Sequence, residues 1–174
     1  DLWQVHDVRT AADLELIFGP GGAIEAFDRA KRAGKVRFIG VTGHHDPQIL
    51  LRAFDLYPFD TVLLPVNPAE PAWRGFPQSV LPEANRRGIG VIGMKVLCRG
   101  FGLQVPGCDT AERWIRYALG HELSTLVIGC DNPAQVEQNL AAACQPPLDA
   151  EQRSAMERQV APYARELMYY KPTL

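Results

Sequence analysis

The chain has 174 residues, of which 47% are hydrophobic and 22% charged, and its net charge is −2. This composition is ordinary for a soluble domain with one sizeable core, and the near-neutral charge argues against a nucleic-acid-binding surface. No run of about 18 apolar residues is present, so no membrane span is predicted. We therefore expect one domain over residues 1–174, located in the cytoplasm, with no nucleic-acid, membrane or obligate protein partner.

Five short apolar segments, each followed by small or polar residues, predict five β-strands. They span residues 2–5, 36–41, 61–64, 90–94 and 125–128. Each interval between them has room for a helix and its loops, which is about the size of a βαβ unit. The chain begins with Asp1 inside the first predicted strand, so we expect further residues upstream.

The segments between the strands carry helical periodicity and capping residues. Asp46, Asn132 and Asp149 are predicted helix caps, the last with Gln152 in the capping-box position. Proline-rich residues 67–77 are predicted to be irregular, and the segment 96–110, with three glycines, is a predicted long loop. Helices are predicted at residues 11–18, 23–33, 46–54, 79–87, 111–119, 133–143 and 150–167, followed by a flexible tail at 169–174.

Two α/β architectures fit this alternation of strands and helices. One is a doubly wound, flavodoxin-like sheet, and the other is five-eighths of a (β/α)8 barrel. The spacing of the strands alone does not choose between them. In both, ligands bind at the carboxyl ends of parallel strands, so the residues that follow each strand are the candidate site.

The cysteines and histidines do not form a recognisable metal motif. The four cysteines include no Cys-x-x-Cys pair, so free thiols are expected rather than a zinc or iron–sulfur site. His44 and His45 are adjacent on a predicted turn, where two side chains rarely converge on one ion, and no carboxylate partner is obvious. No metal site is therefore predicted.

Four segments resemble the motifs of one enzyme family. They read DLWQVHDV at residues 1–8, GKVRFIGVTGHH at 34–45, RGIGVIGMKVLCRG at 87–100 and TLVIGCDNPAQVEQN at 125–139. In this order and spacing they are similar to the aldo-keto reductases, and the GMKV and TGH elements resemble one bacterial branch. The resemblance implies a parallel (β/α)8 TIM-type barrel, of which this chain forms about five βα units and lacks the N-terminal three.

The same resemblance implies an activity. Aldo-keto reductases are NAD(P)-dependent oxidoreductases that transfer hydride between nicotinamide and a small-molecule carbonyl or alcohol. His6 matches the active-site histidine of the family, whereas the catalytic tyrosine, lysine and aspartate belong to the missing portion, so we expect the chain to be inactive alone. The alternative is a non-catalytic nicotinamide-nucleotide-binding relative with a regulatory role.

The resemblance also implies a nicotinamide-binding end. Thr42 matches a serine whose hydroxyl holds the carboxamide. Gly43 stands where many members have asparagine, and His44 or a backbone group could replace that contact. A leucine stands where many members place a glutamine, and Asn67 is close enough along the chain to substitute for it. Met94 replaces an aromatic residue that stacks on the nicotinamide ring.

The remaining cofactor residues would hold the pyrophosphate and the adenosine of NADP or NAD. Lys95 stands in place of a serine, and its ammonium suits the pyrophosphate. Asp131 either disfavours a 2′-phosphate or only caps a helix, and both interpretations remain open. The other residues implied at this end are Arg99, Gly100, Gly129, Cys130, Gln135 and Asn139.

Overall fold

A computed structural model describes residues 1–171, and residues 172–174 lie outside this description. In the described part, five parallel strands form one sheet whose spatial order, β1-β2-β3-β4-β5, is the order of the sequence. The absence of a reversal in this order excludes the doubly wound alternative. The strands are β1 (Leu2–Val5), β2 (Phe38–Thr42), β3 (Thr61–Pro65), β4 (Gly90–Met94) and β5 (Thr125–Leu126).

Helices fill the intervals between the strands and follow the last of them. They are α1 (Ala11–Phe18), α2 (Ala23–Arg32), α3 (Pro47–Leu56), α4 (Phe76–Arg86), α5 (Ala111–Leu119), α6 (Pro133–Ala143), α7 (Ala150–Val160) and α8 (Ala164–Leu167). Short 3₁₀ segments occur at Glu70–Ala72, Cys98–Gln104 and Ala161–Tyr163. Within residues 1–171 no helix is long and apolar enough to cross a membrane.

The predicted helix caps are confirmed. The side chains of Asp46, Asn132 and Asp149 each accept a hydrogen bond from a backbone N–H in the first turn of α3, α6 and α7. Gln152 completes the predicted capping box by accepting from the Asp149 N–H. These bonds satisfy donors that the start of a helix leaves free, which is why the sequence alone locates the helix starts.

Five predicted boundaries differ from the structure by two residues or more, and proline explains two of them. The strand β2 begins at Phe38 rather than residue 36, and α3 ends at Leu56 rather than residue 54. The helix α4 begins at Phe76 rather than Ser79, because Pro77 lies in its first turn, where no intrahelical N–H is required. The helix predicted over residues 150–167 is interrupted at Ala161–Tyr163, where Pro162 lacks the N–H that would continue it. The strand β5 has only two paired residues, because its register with β4 covers Thr125 and Leu126 alone.

Burial is uneven across the sheet. The central strands β2, β3 and β4 carry side chains with no solvent exposure, and helix α5 contributes Trp114 and Tyr117 to the same core. In contrast, Ala142 is the one buried residue of α6, and Val136 and Leu140 on that helix are more than half exposed. The chain segment after β5 therefore lies on a lightly packed side of the molecule, next to the candidate site.

Candidate functional site

The parallel register places the predicted site residues at one end of the sheet. His6 follows β1, Thr42 ends β2, and Lys95 follows β4. Asn67 lies two residues beyond β3, and Gly129 lies three residues beyond β5. The carboxyl ends of the strands therefore bring together segments that are up to 123 positions apart in the sequence (residues 6 and 129).

A cavity of about 1180 Å³ opens between the segment that follows β4 and the start of α6. Eight of the predicted cofactor residues line it, namely Lys95, Arg99, Gly100, Gly129, Cys130, Asp131, Gln135 and Asn139. Five other predicted cofactor residues, Thr42, Gly43, His44, Asn67 and Met94, do not line it, and neither does His6. The residues expected at the pyrophosphate and adenosine therefore share one cavity, and those expected at the nicotinamide lie apart from it.

One wall of this cavity is cationic. Lys95 and Arg99 approach the Tyr169 ring, with Nζ 5.5 Å and Cζ 5.1 Å from its centroid. Burial and the nearby Arg99 charge lower the pKa of Lys95, and neither cation pairs with a carboxylate within residues 1–171. Positive φ angles at Lys95, Cys98 and Arg99 (57°, 49° and 61°) show a strained backbone of the kind that clusters at ligand-binding loops.

The facing wall is the start of α6. The Asn132 side chain accepts from the Gln135 N–H at 3.1 Å, and the Gln135 side chain accepts from the Asp131 N–H at 2.6 Å. Asn139 Nδ2 lies 3.2 Å from Cys130 Sγ, and the Asp131 carboxylate is exposed. Gly129 has open space where a side chain would begin, so this wall is not closed by its own side chains.

A cluster of polar side chains lies at the ends of β1 and β2. The Asp7 carboxylate, only 2% exposed, has Oδ1 3.4 Å from His44 Nδ1 and Oδ2 3.7 Å from His45 Nε2. Burial is the main cause that lowers the pKa of His44 to about 4, against the opposing effect of Asp7, and it also lowers the pKa of His45. Both imidazoles are therefore neutral near pH 7. The interpretation that these histidines have no carboxylate partner was wrong, because Asp7 is that partner.

His6 and Thr42 differ in their surroundings. The His6 side chain is exposed, and within residues 1–171 no protein group forms a hydrogen bond with its imidazole. The Thr42 hydroxyl is buried and also lacks a partner. A Cβ at Gly43 would lie 2.9 Å from the Leu50 side chain, so a larger residue there would require that side chain to shift. Met94 is half-buried at the end of β4.

The side chain of Asn67 is fully used inside the protein. Its amide donates to the Lys95 carbonyl and to the Tyr170 hydroxyl at 3.2 and 2.9 Å, and its oxygen accepts from the Ala69 N–H at 3.0 Å. The residue has no solvent exposure. A contact from Asn67 to a nicotinamide carboxamide stays a prediction, and it would require Tyr170 to move.

The expectation of a flexible tail was wrong for residues 169–171, and the rest of that segment, 172–174, lies outside the described residues. Tyr170 and Lys171 are 5% and 7% exposed. The Tyr170 hydroxyl donates to Glu70 Oε1 at 2.6 Å, and Lys171 Nζ donates to Glu70 Oε2 at 2.8 Å and to the carbonyls of Trp73 and Arg74. No local sequence pattern predicts these contacts across about 100 residues.

Tyr170 and Lys171 do not form an acid catalyst in this arrangement. The Tyr170 hydroxyl is directed to a buried carboxylate, and burial together with the Glu70 charge raises its pKa well above 10. An effective general acid needs a pKa near the working pH and access to the substrate. The pair instead fixes the end of the described chain to the segment that follows β3.

Comparisons with known proteins agree with this fold. A family model described as the aldo/keto reductase family matches residues 1–105. Among solved structures, the aldo-keto reductase AKR11C1 from Bacillus halodurans in its apo form is similar with a TM-score of 0.68 and 19% identity, over 91% of this chain and 61% of that one. Among curated proteins, no sequence matches this chain significantly.

A second solved structure is that of the thermostable aldo-keto reductase Tm1743 in complex with the inhibitor epalrestat. It is similar with a TM-score of 0.65 and 16% identity, over 91% of this chain and 59% of that one. The chain thus spans about 60% of the length of both neighbours. The sequential parallel sheet and the family match over residues 1–105 lead to one conclusion: the chain belongs to the aldo/keto reductase family and forms a five-stranded part of its barrel.

Proposed function

We propose that this chain is the nucleotide-binding part of an NAD(P)-dependent aldo-keto reductase that interconverts a carbonyl and an alcohol. The observation that carries the proposal is the cavity at the carboxyl ends of the strands. One wall carries two cations that pair with no carboxylate among residues 1–171, and the other is the first turn of α6. Cations and helix N-termini both attract phosphate groups. A pyrophosphate is therefore the ligand chemistry that this cavity fits.

The surroundings of the cavity also fit a nicotinamide cofactor. The open space at Gly129 admits a ligand close to the backbone, and the unpartnered Thr42 hydroxyl can donate to and accept from a carboxamide. Within the proposal, NADH or NADPH supplies the hydride. The chain itself binds the phosphates, orients the nicotinamide and presents His6 to the substrate oxygen.

His6 has the exposure that its proposed role requires. A histidine N–H that is not engaged with protein groups can donate to a carbonyl oxygen as negative charge develops on it. Removing one such donor typically lowers the rate about 10²–10³-fold. We expect His6→Ala to lower kcat by that factor in a protein that joins this chain to the remaining barrel units, and to leave nucleotide affinity within about twofold.

The nucleotide-binding test uses the 174-residue chain in the presence of EDTA, titrated with NADPH and NADH by calorimetry. Lys95→Ala and Arg99→Ala should each weaken binding about tenfold or more, because each removes a charge-assisted contact to phosphate worth about 1.5–3 kcal/mol. Lys35→Ala is the matched control, since Lys35 is an exposed lysine ahead of β2, at the opposite end of the sheet. Equal affinities in all four chains would contradict the proposal.

A turnover assay distinguishes a catalytic reductase from a non-catalytic, regulatory nucleotide-binding protein. The resemblance assigns the catalytic tyrosine to the missing part of the barrel, and Tyr170 is held by the buried Glu70 carboxylate, so we expect the 174-residue chain to bind nucleotide without reducing an aldehyde at an enzymatic rate. In the longer protein, turnover that depends on His6 supports the reductase. Tight nucleotide binding there without any turnover would favour the regulatory alternative.

A further inference from the structure

Three groups with metal-binding chemistry meet at the ends of β1 and β2. Asp7, His44 and His45 each offer one ligand atom, and these atoms lie within 4.8 Å of one another. Asp7 Oδ1 lies 3.4 Å from His44 Nδ1, and Asp7 Oδ2 lies 3.7 Å from His45 Nε2. The three residues are called the Asp7–His44–His45 cluster below.

The separations in this cluster are close to those of a metal site. Zinc lies about 2.0–2.2 Å from nitrogen and oxygen ligands, so two ligands of a tetrahedral ion are roughly 3.3 Å apart. The separation between Asp7 Oδ1 and His44 Nδ1 already approaches that value. The 3.7 Å separation to His45 Nε2 is from the other carboxylate oxygen, so side-chain rotation is needed to bring one oxygen and both nitrogens onto one ion, from separations of at most 4.8 Å. The parallel pairing of β1 with β2 produces this convergence, because Val5 lies opposite Val41 and both loops leave the same edge.

Two atoms of the cluster lack the partners that buried polar atoms normally have. Asp7 Oδ1 and His44 Nδ1 are buried, and neither forms a hydrogen bond within the described residues. An unsatisfied buried polar atom costs about 1–3 kcal/mol, and more when it is charged, so native proteins rarely leave two facing each other. A cation between them would satisfy both atoms at once.

We propose that the Asp7–His44–His45 cluster binds one divalent transition-metal ion of the zinc type. Two imidazole nitrogens and one carboxylate oxygen suit zinc and iron(II) rather than magnesium or calcium, which prefer oxygen ligands. Three protein ligands leave one position of a tetrahedral ion for water or another small ligand. The proposal uses atoms outside the nucleotide cavity and does not depend on the proposed reductase activity.

The neighbouring charges act on this site in opposite ways. Arg9 Nε donates to Asp7 Oδ2 at 2.7 Å, which holds the carboxylate in place and leaves Oδ1 for the metal. Such a hydrogen bond to a ligating carboxylate is typical of the shell around a metal. Lys95 and Arg9 are both charges that disfavour a cation, because their fields act on both imidazoles. Lys95→Gln should therefore strengthen metal binding a few-fold, whereas loss of the same charge weakens nucleotide binding.

The test is a cobalt titration of the untagged, EDTA-stripped 174-residue chain. Cys130→Ser and Cys144→Ser are introduced first, because these exposed thiols also bind soft metals. We expect one Co²⁺ per chain, with the visible absorption of a tetrahedral site, displaced by one equivalent of Zn²⁺. In this background His44→Gln, His45→Gln and Asp7→Asn should each weaken binding at least about tenfold.

Two matched controls fix the position of the site. His6→Asn removes the histidine next to Asp7, and Asp13→Asn removes a second carboxylate that is hydrogen-bonded near Arg9. Both should bind Co²⁺ within about twofold of the parent chain. Binding that is lost in His6→Asn, or equal in all variants, would overturn the proposal, as would a stoichiometry well below one.

A second measurement covers the case in which a variant fails to fold. The parent chain has four histidines, so imidazole NMR signals can be followed one by one during a Zn²⁺ titration. Signals of His44 and His45 should shift together and saturate at one equivalent, while those of His121 stay in place. Zinc-induced shifts confined to His6 or His121 would overturn the assignment without any substitution in the cluster.

Discussion

Two polar clusters, one around Glu70 and one around Asp7, lie beyond the carboxyl ends of the strands, and their hydrogen bonding differs. Around Glu70, every strong donor and acceptor is used: the carboxylate accepts from Tyr170, Lys171 and the Phe76 N–H, and Lys171 donates three hydrogen bonds. Around Asp7, one carboxylate oxygen and one imidazole nitrogen are buried and have no hydrogen-bond partner in the described part of the chain. Both clusters bury a carboxylate, but only the first is complete.

The difference distinguishes buried polar groups that stabilise the fold from buried polar groups that are available to a ligand. A satisfied network of buried charges fixes one arrangement of the chain and leaves nothing for a ligand to bind. A buried cluster that lacks partners is destabilising by itself and is maintained where a ligand completes it. The Glu70 cluster therefore anchors the chain end, whereas the Asp7–His44–His45 cluster keeps buried polar atoms that a ligand at the carboxyl ends of the strands would satisfy, as proposed above.

The largest expected effect comes from breaking the complete cluster. Glu70→Ala leaves the Lys171 ammonium buried without a counter-ion, and removing one partner of a buried pair costs about 3–5 kcal/mol. Urea unfolding should show this loss in the free energy of unfolding. Glu137→Ala, on the exposed face of α6, is the matched control and should leave stability nearly unchanged.

A double variant tests whether the unpaired charge is the cause. Glu70→Leu combined with Lys171→Met leaves no buried charge and should lose less stability than Glu70→Ala alone. If the double variant is the less stable of the two, hydrogen bonding and packing rather than the unpaired charge dominate this cluster.

The imidazole of His121, at the other end of the sheet, is a buried polar group outside both clusters, and its effect on stability can be measured through pH. His121 precedes β5, and its Nε2 is buried with no hydrogen-bond partner among residues 1–171. Burial lowers its pKa from 6.5 to about 4. The folded-state pKa of His121 is below the unfolded one, so protonation of this ring favours the unfolded chain. The stability that the neutral ring permits is complete above pH 6.5 and is lost as the pH falls toward 4. At about 1.4 kcal/mol per pKa unit the loss is at most about 3 kcal/mol.

Between pH 6.5 and 4, the parent chain should take up one proton at His121 when it unfolds, and His121→Gln should abolish this contribution to the slope of the unfolding free energy against pH. Urea unfolding at several pH values, with EDTA present, measures this slope in the variant and the parent chain. The same slope in both chains would mean that the His121 ring is protonated equally in the folded and unfolded states.

A smaller effect is expected from the exposed carboxylate of Asp131. We expect Asp131→Ser to strengthen NADPH binding about tenfold, or about 1.4 kcal/mol, and to change NADH binding less. The reason is that like charges a few ångströms apart repel by about 1–4 kcal/mol, and exposure to water and salt reduces this toward the lower end.

Glu137→Gln is the control for Asp131→Ser, since it removes an acidic charge from the same helix but outside the cavity. It should leave the ratio of the two affinities unchanged. If Asp131→Ser changes NADPH and NADH binding equally, the carboxylate acts only at the start of the helix and does not select the cofactor.

The smallest expected effect distinguishes two buried hydroxyls. Thr42→Val and Thr61→Val each replace by a methyl group of similar size a buried hydroxyl that has no partner within residues 1–171. Each should therefore raise the free energy of unfolding by about 1 kcal/mol. Only Thr42 ends β2 on the nucleotide side, whereas Thr61 begins β3 at the opposite end. Thr42→Val alone should therefore weaken NADPH binding, by about fivefold in a titration.

Similar affinities for NADPH in the two threonine variants would contradict a role for Thr42 in cofactor binding. A fall in stability in both would show instead that water satisfies these hydroxyls in solution. The two measurements are independent, because one uses urea and the other uses nucleotide.

The sequence by itself determined the features that depend on neighbouring residues. Alternating apolar and helical segments located the five strands, and Asp46, Asn132 and Asp149 located the starts of three helices, since a cap is completed within one turn. The four motifs led to the family, and eight residues assigned through them line one cavity. The order of the strands did not follow from their spacing, because both architectures use the same βα units.

Only the tertiary structure decided which polar groups meet. Asp7 reaches His44 through the pairing of β1 with β2, and Glu70 reaches Tyr170 across 100 residues. Gly43 stays a predicted cofactor position, and only the structure shows that a Cβ there would lie 2.9 Å from the Leu50 side chain. Periodicity and capping act over a few residues, whereas these contacts depend on the register of the sheet and on how the chain end packs against it.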